Sequence, residues 1–208
     1  MTAQIERVVT SGIFSLDGQD FEVDNNVYVV GDDTEVLVID AAHDAEVIAS
    51  AIGDRRVLAV ICTHGHNDHI TVAPEVAGSS GAAIRLHSDD LMLWDVVHPG
   101  VATVDLADGE IINVAGTEFL VIHTPGHSPG GVCLYSAELG VVFSGDTLFH
   151  GGPGATGRSF SHFPTILDSI RERLLSLPPD TRVLTGHGAE TTIGSEAASY
   201  DDWVARGH

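Results

Sequence analysis

The stretch ICTHGHNDHI, residues 61–70, sets three histidines and an aspartate within six positions, directly after an apolar run. Histidine fills a core poorly and binds metal ions well, so the stretch is either a site or an accident. With 12 histidines in 208 residues, chance supplies about 0.004 copies of His-x-His-x-Asp-His. The cluster is read as a metal site. His64 and His66 are two apart, so an extended backbone turns both the same way. Asp68 and His69 follow one step further, able to face a neighbouring position.

Working outward, RVLAVICT (56–63) is a nearly continuous apolar strand, expected to be buried on both faces. Before it, VTSGIF (9–14), FEVDNNVYVV (21–30) and EVLVIDA (35–41) read as strands. DAEVIASAIG (44–53) reads as a helix with Asp44 or His43 near its N-cap and Gly53 at its stop. Val47, Ile48, Ala51 and Ile52 give that helix an apolar stripe. After the cluster come a short helix with Pro74 in its first turn (71–81), a strand (83–87) and a helical turn or two (89–97). Strands follow over 110–124 and 130–146, with turns at Gly116-Thr117 and Glu138–Gly140 separating hairpin partners. LFHGGPGATGRSFSHFP (148–164) reads as a long glycine-rich loop, and TILDSIRERLLSL (165–177) as a helix with Ile166, Ile170 and Leu174 on one face. RVLTG (182–186) is the last expected strand and SEAASYDDWVARG (195–207) the last helix. Strands and helices thus recur in two similar halves meeting near residue 110. The expected fold class is α+β: an αββα sandwich in one domain spanning residues 1–208.

Composition narrows the function. Apolar residues make up 43% and charged residues 19% of the chain, a globular balance. No apolar run approaches the ~20 residues that span a bilayer. The N-terminus lacks a basic head and continuous apolar stretch, so the expectation is a cytoplasmic protein without a membrane partner. The net charge is −21, with nine cationic residues, all arginine. That balance argues against nucleic acid, which requires clustered Lys/Arg. Cys62 and Cys133 sit in apolar runs and read as core thiols in a reducing compartment.

Each apolar strand ends at a polar residue: Asp40 after EVLVI, His64 after RVLAVICT, His127 after EFLVIHTPG, Asp146 after GVVFSG, His187 after RVLTG. Loops at one edge of a sheet sandwich converge, so these side chains can meet there. The segments THGHNDH, TPGHSPG, SGDTLF and TGHG, in this order, resemble the successive ligand motifs of the metallo-β-lactamase superfamily, and within it the small glyoxalase II-like hydrolases of actinobacterial type. The resemblance runs from about Val27 to Ile193. It implies His64, His66 and His127 at a first metal ion, Asp68, His69 and His187 at a second, and Asp146 bridging both. Asp40 matches an early aspartate that supports a ligand from behind.

That ligand set implies two divalent ions per chain, zinc first, with iron or manganese as alternatives. Two ions roughly 3.5–4 Å apart share a water and lower its pKa toward ~7. The resulting hydroxide attacks a carbonyl carbon, with Asp68 as the catalytic residue that orients it. A thioester suits this chemistry because a thiolate leaves without a strong acid. The expectation is an enzyme, a thioesterase acting on S-acyl conjugates of a small thiol, with mycothiol a candidate carrier, as a monomer or homodimer. An iron-dependent persulfide dioxygenase and a lactonase are the alternatives on the same fold. His150, Arg158 and His162 in the glycine-rich segment are candidate substrate-loop residues. His123 is expected to be packed or exposed rather than ligating.

Overall fold

Two long strands open the chain because their turn leaves no choice of register. Asp17 and Gly18 both sit at positive φ, 54° and 73°, the conformation of a two-residue hairpin turn whose twist matches its strands. The hairpin of β1 (Gln4–Leu16) and β2 (Gln19–Gly31) therefore pairs in register from Leu16↔Gln19 to Gln4↔Gly31. The computed structural model describes residues 2–207.

β3 (Glu35–Ile39), β4 (Arg56–Ile61), β5 (Ala83–Leu86) and β6 (Val104–Asp105) extend that hairpin into a six-stranded sheet in sequence order. The last four strands run parallel, so helices cross between them: α1 (Ala45–Ile52), α2 (Asn67–Ile70) with α3 (Ala73–Ser80), then α4 (Leu91–Val97). Asp44 caps α1 by accepting from the Glu46 and Val47 amides, and Gly53 ends it at φ 60°. The second sheet has order β14-β13-β10-β9-β8-β7. Its strands are β7 (Ile111–Val114), β8 (Thr117–His123), β9 (Val132–Ser136), β10 (Val141–Gly145), β13 (Arg182–Thr185) and β14 (Thr191–Thr192).

Alternation along the strands divides the apolar residues into three layers. Tyr28, Val30, Leu37, Ile39 and Ile61 meet Phe119, Val121, Leu134 and Phe143 between the sheets. Val27, Val29, Val36 and Val38 point the other way, onto Ile48, Ile52, Val76 and Trp94 of the first helical layer. Ile122, Cys133, Val142 and Val183 bury Ile166, Ile170, Leu174 and Trp203 of the second. This is the αββα sandwich, with the boundary between sheets falling between β6 and β7. Among the described residues no helix is long and apolar enough to cross a membrane.

Several expectations shift. The glycine-rich segment contains a small hairpin, β11 (Leu148–Phe149) with β12 (Gly152–Pro153). RVLTG is not the last strand, because β14 pairs antiparallel with it. The C-terminal helix is two helices, α6 (Ile193–Ala197) and α7 (Tyr200–Arg206), so Ile193 and Trp203 can both reach the core. The helix expected at 165–177 starts earlier, as α5 (Phe163–Ser169), and widens into a π-helical turn over Ile170–Leu174. The β7–β8 turn is Ala115-Gly116, both at positive φ, one residue earlier than expected. In α1 the stripe is Ile48 and Ile52, spaced i,i+4, with Ala51 partly buried beside them, while Val47 is exposed.

Candidate metal centre

Five chain segments end at one rim of the sandwich, and each delivers a ligand-competent side chain there. β4 stops at Ile61 because the chain is caught by Asp40. Its Oδ1 accepts from the Thr63 amide at 2.7 Å and its Oδ2 from the Thr63 hydroxyl at 2.8 Å. Asp40 itself sits at φ 58° just past β3, a strained position that aims its carboxylate across the rim. From Thr63 the chain runs extended through His64 and His66, then turns into the single turn α2, which carries Asp68 and His69. That turn was not anticipated; it puts Asp68 and His69 on the same side as the two preceding rings. The loops after β8, β10 and β13 bring His127, Asp146 and His187 from the other sheet.

The seven side chains form three groups, the third overlapping both of the others. His64, His66 and His127 gather on one side, Asp68, His69 and His187 on the other, and His64, His69 and Asp146 between them. Asp146 Oδ2 lies 3.5 Å from both His127 Nε2 and His187 Nε2, and its Oδ1 lies 3.4 Å from His69 Nε2. His66 Nδ1 is 3.0 Å from His127 Nε2, and His69 Nε2 is 3.2 Å from His187 Nε2. Nitrogens this close, at ordinary hydrogen-bond distance, suit a shared cation better than an isolated imidazole pair.

Outer partners fix how four of the rings face. The Nδ1 atoms of His69, His127 and His187 donate to Asp40 Oδ2 (3.0 Å), the Ala155 carbonyl (2.8 Å) and the Asp24 carbonyl (2.7 Å). His64 Nδ1 meets the Thr63 hydroxyl at 3.1 Å, and that hydroxyl donates onward to Asp40. With Nδ1 so engaged, the neutral form of each ring offers Nε2 inward as a lone pair, the arrangement by which proteins orient metal-binding histidines. The donor set fits a cation on independent grounds. Among the described residues, six buried side-chain polar atoms lack a hydrogen-bond partner, and four belong here: His64 Nε2, His66 Nε2, Asp68 Oδ1 and Asp146 Oδ1. Buried polar atoms are almost always paired, so four orphans in one cluster mark a place built for an ion.

Electrostatics divide the centre. Burial pushes His64 well below its ordinary range and His66 down to about 3, so both rings are neutral. Burial acts the same way on His69 and His187, but the carboxylates around them, Asp146 foremost with Asp68, together outweigh it, raising His69 well above its ordinary value and His187 to about 10. Burial would lift Asp146 and Asp68, yet His69 and His187 together outweigh it and lower both, Asp146 well below the usual carboxylate range.

A cavity of about 240 Å³ opens onto the centre, lined by Phe14, Val23, His66, Asp68, His127, Asp146, Phe149, Ala155 and His187. Phe14 stands edge-on to His66, with ring centroids 5.4 Å apart. Two roomier grooves, about 510 and 580 Å³, are lined by residues of β7–β9 and of the first hairpin, and the second shares Val23 with the cavity at the centre. Close approach leaves no room at Gly186, where a Cβ would lie 2.3 Å from Asp146 Oδ1 and 2.7 Å from His69 Cε1.

The substrate-loop candidates sit elsewhere. His150, Arg158 and His162 do not line the cavity. His162 precedes α5 and bonds the Thr165 hydroxyl at 2.7 Å. Arg158 lies 4.7 Å over the Phe21 ring and reaches Gln19, fastening the glycine-rich segment to the hairpin tip. His123 packs, bonding the Pro129 carbonyl at 2.9 Å and stacking on His87 at 4.1 Å and 9°. With Asp89 these two make a further grouping of ligand-competent residues, but rings stacked face to face aim their lone pairs along parallel planes, not at one point.

Two functional residues escaped the sequence reading. Asp90, fully buried, accepts from the Gly65 amide (2.8 Å), the Ser128 hydroxyl (2.7 Å) and the Gly130 amide (2.6 Å), tying the loop of His64 and His66 to that of His127. Asn25 reaches Asp68, His69 and His187 from β2. The signal for Asn25 was a pair of asparagines directly before the apolar run VYVV of β2. Asp90 looked only like the start of a helix.

The family profile described as the metallo-beta-lactamase superfamily matches residues 21–187. The chain is 32% identical over 184 residues to a hydroxyacylglutathione hydrolase, GloC, of Haemophilus influenzae, covering 81% of this chain and 87% of that one. Among solved structures it is similar to TTHA1623 in a di-iron-bound form, at TM-score 0.75 and 33% identity, covering 84% and 93% of the two chains. It is equally similar in fold to BLEG-1, a B3 metallo-beta-lactamase, at TM-score 0.75 and 30% identity, covering 91% and 97%.

Proposed function

The chain belongs to the metallo-β-lactamase superfamily, and from that premise we propose that it is a dinuclear hydrolase cleaving the thioester of an acylated small thiol. One observation carries the reading: the donor groups His64–His66–His127 and Asp68–His69–His187 are joined by a third, His64–His69–Asp146, and four buried atoms of this cluster have no partner among the described residues. His64, His66 and His127 would hold one ion, Asp68, His69 and His187 the other, with Asp146 reaching both. Divalent ions at such a centre supply Lewis acidity for a carbonyl oxygen and acidify a water into a nucleophile at neutral pH.

The chain's own residues supply the rest. Asp68 uses Oδ2 toward His187 and His69, which leaves Oδ1, buried and unpaired, to accept a hydrogen bond from the attacking water and aim it. Asp40, the Ala155 carbonyl and the Asp24 carbonyl hold the ring protons on Nδ1, so no ring can rotate out of position. Phe14, Val23 and Phe149 make an apolar wall for the acyl chain and exclude bulk water. A thiolate leaving group needs no proton donor, and none lines the cavity apart from the histidines.

The thioester assignment is supported by the name of the Haemophilus relative, whose substrate is an acylated glutathione. With no lysine in the chain and no arginine lining the cavity, a carrier with anionic groups close to the acyl end is disfavoured; mycothiol is the first carrier to test. Metal content per chain, measured by elemental mass spectrometry on protein purified without chelator or added metal, is the deciding experiment, followed by a thioester panel. Two ions per chain and thioester cleavage are expected. A single iron, with oxygen uptake on a persulfide and no thioester cleavage, would overturn the proposal in favour of the dioxygenase.

A further inference from the structure

Asn25 occupies a place that hydrogen bonding alone does not explain. It is fully buried on β2, and its side-chain Nδ2 lies 3.2 Å from Asp68 Oδ2, 3.3 Å from His69 Nε2 and 3.5 Å from His187 Nε2. Those three atoms are in turn 3.5 Å (Asp68 to His69), 3.3 Å (Asp68 to His187) and 3.2 Å (His69 to His187) from one another. All six separations fall between 3.2 and 3.5 Å. Four atoms so related are the corners of a nearly regular tetrahedron. A tetrahedron of that edge has its centre about 2 Å from every corner, the length of a zinc–nitrogen or zinc–oxygen bond.

An amide nitrogen at that corner would turn its hydrogens toward the cation. Rotating the side-chain amide by half a turn exchanges nitrogen for oxygen at almost no steric cost, and only the surrounding network selects between the two. The one other partner is His43, whose Nε2 lies 2.9 Å from the outer amide atom. A neutral imidazole with its proton on Nδ1 accepts there from an amide N–H, so the exchanged orientation keeps this bond. His43 is brought in at φ 60° with its ring over Gly12, where a Cβ would lie 2.1 Å from His43 Nδ1. Thus glycine at 12 admits His43, and His43 reaches Asn25.

We propose that Asn25 Oδ1 is a further protein ligand, beside Asp146, of the ion held by Asp68, His69 and His187, and that His43 keeps the amide turned to present its oxygen. This rests on the reading that those three residues hold an ion. The test compares wild type, Asn25→Ala and Asn25→Asp as full chains, titrating zinc out with a graded chelator and counting ions per chain. Cobalt-loaded samples are followed by visible absorption, which reports coordination number independently of activity.

An oxygen ligand predicts that Asn25→Ala releases the second ion at about tenfold lower chelator or less, with a changed cobalt spectrum, while the first ion stays. Asn25→Asp, which keeps an oxygen at the corner, holds the second ion at least as tightly as wild type. If Asn25 serves instead as an N–H donor to Asp68, Asn25→Asp sets two carboxylates together and weakens the ion as much as Asn25→Ala, and the proposal falls. An unchanged second ion in Asn25→Ala also overturns it. Should Asn25→Ala not fold, a crystal structure of zinc-loaded wild type decides: a bond from Oδ1 supports the assignment, and an Asn25 side chain outside bonding distance sinks it. A wild type that never holds more than one ion defeats the two-ion reading itself, an outcome distinct from failure of the variants.

Discussion

The two halves of the metal centre use similar side chains under opposite electrostatics. Around His64 and His66 burial dominates, and both rings are neutral. Around His69 and His187 carboxylates dominate, and both rings hold protons well above the ordinary histidine range. The difference lies in the neighbours. His66 meets His127 and the Phe14 ring, whereas His69 lies within 3.5 Å of Asp40, Asp68 and Asp146. One half is ready to receive a cation as it stands; the other must first exchange protons for it.

The largest expected effect comes from removing what the halves share. Asp146→Ala should lower kcat/KM on a thioester by at least about 10⁴-fold, since a loss of only ~5.5 kcal/mol suffices, and should weaken both ions in a chelator titration. Loss of one ion alone would show that the carboxylate belongs to a single half.

Acid should separate the halves without mutation. His187 is raised to about 10, so its pairing with Asp146 is fully present below its unfolded value near 6.5 and is lost as pH rises through about 10. Asp146 is depressed, so its contribution is present above its unfolded value near 3.8 and is lost as pH falls toward its folded one. Between these limits protons compete with the second ion, and displacing two of them gives about a hundredfold change in affinity per pH unit. Metal content after dialysis at successive pH values should show the second ion leaving first as pH falls. Simultaneous loss would mean that the halves do not differ as described.

Asp40→Asn comes next. It removes the carboxylate that holds His69 Nδ1 directly and should weaken the second ion by about 10–100-fold, with a smaller loss at the first, which Asp40 supports only through the Thr63 hydroxyl beside His64, as read by chelator competition. The smallest effect is expected at Asp90→Asn, which disturbs three hydrogen bonds at the loops of the first half. About 1–3 kcal/mol of stability should go, read as a fall of roughly 2–4 °C in Tm per kcal/mol, with a several-fold weaker first ion. A larger effect on the second ion than on the first would reverse the assignment of Asp90 to its half.

The same contrast governs what the sequence could disclose. His64, His127, Asp146 and His187 each follow an apolar strand, so burial pattern and chemistry change together at one residue, and their convergence on a rim follows from the sandwich. Residues that act from within an element carry no such punctuation. Asn25 lies mid-strand, where alternation says only that it faces the helical side, and nothing local tells which side chain it will meet. Asp90 precedes a helix, and a cap is indistinguishable by type from a tie between distant loops. Short elements hid for a similar reason: β11, β12 and β14 have two residues each, too few for a period to declare itself. The break between α6 and α7 falls at Ala198-Ser199, without glycine or proline to mark it.

The position of the centre on the seam between the sheets has a mechanical consequence. His64, His66, Asp68 and His69 come from the first sheet's rim, and His127, Asp146 and His187 from the second's. Ions held by these residues would fasten the seam as a clasp, closing long stretches of chain in the way a cross-link does. Prising the sheets apart then requires the clasp to open first. The lifetime of the folded protein should be set by how slowly its ions leave, so that depletion of metal shortens its survival against proteases before any difference shows in its fold.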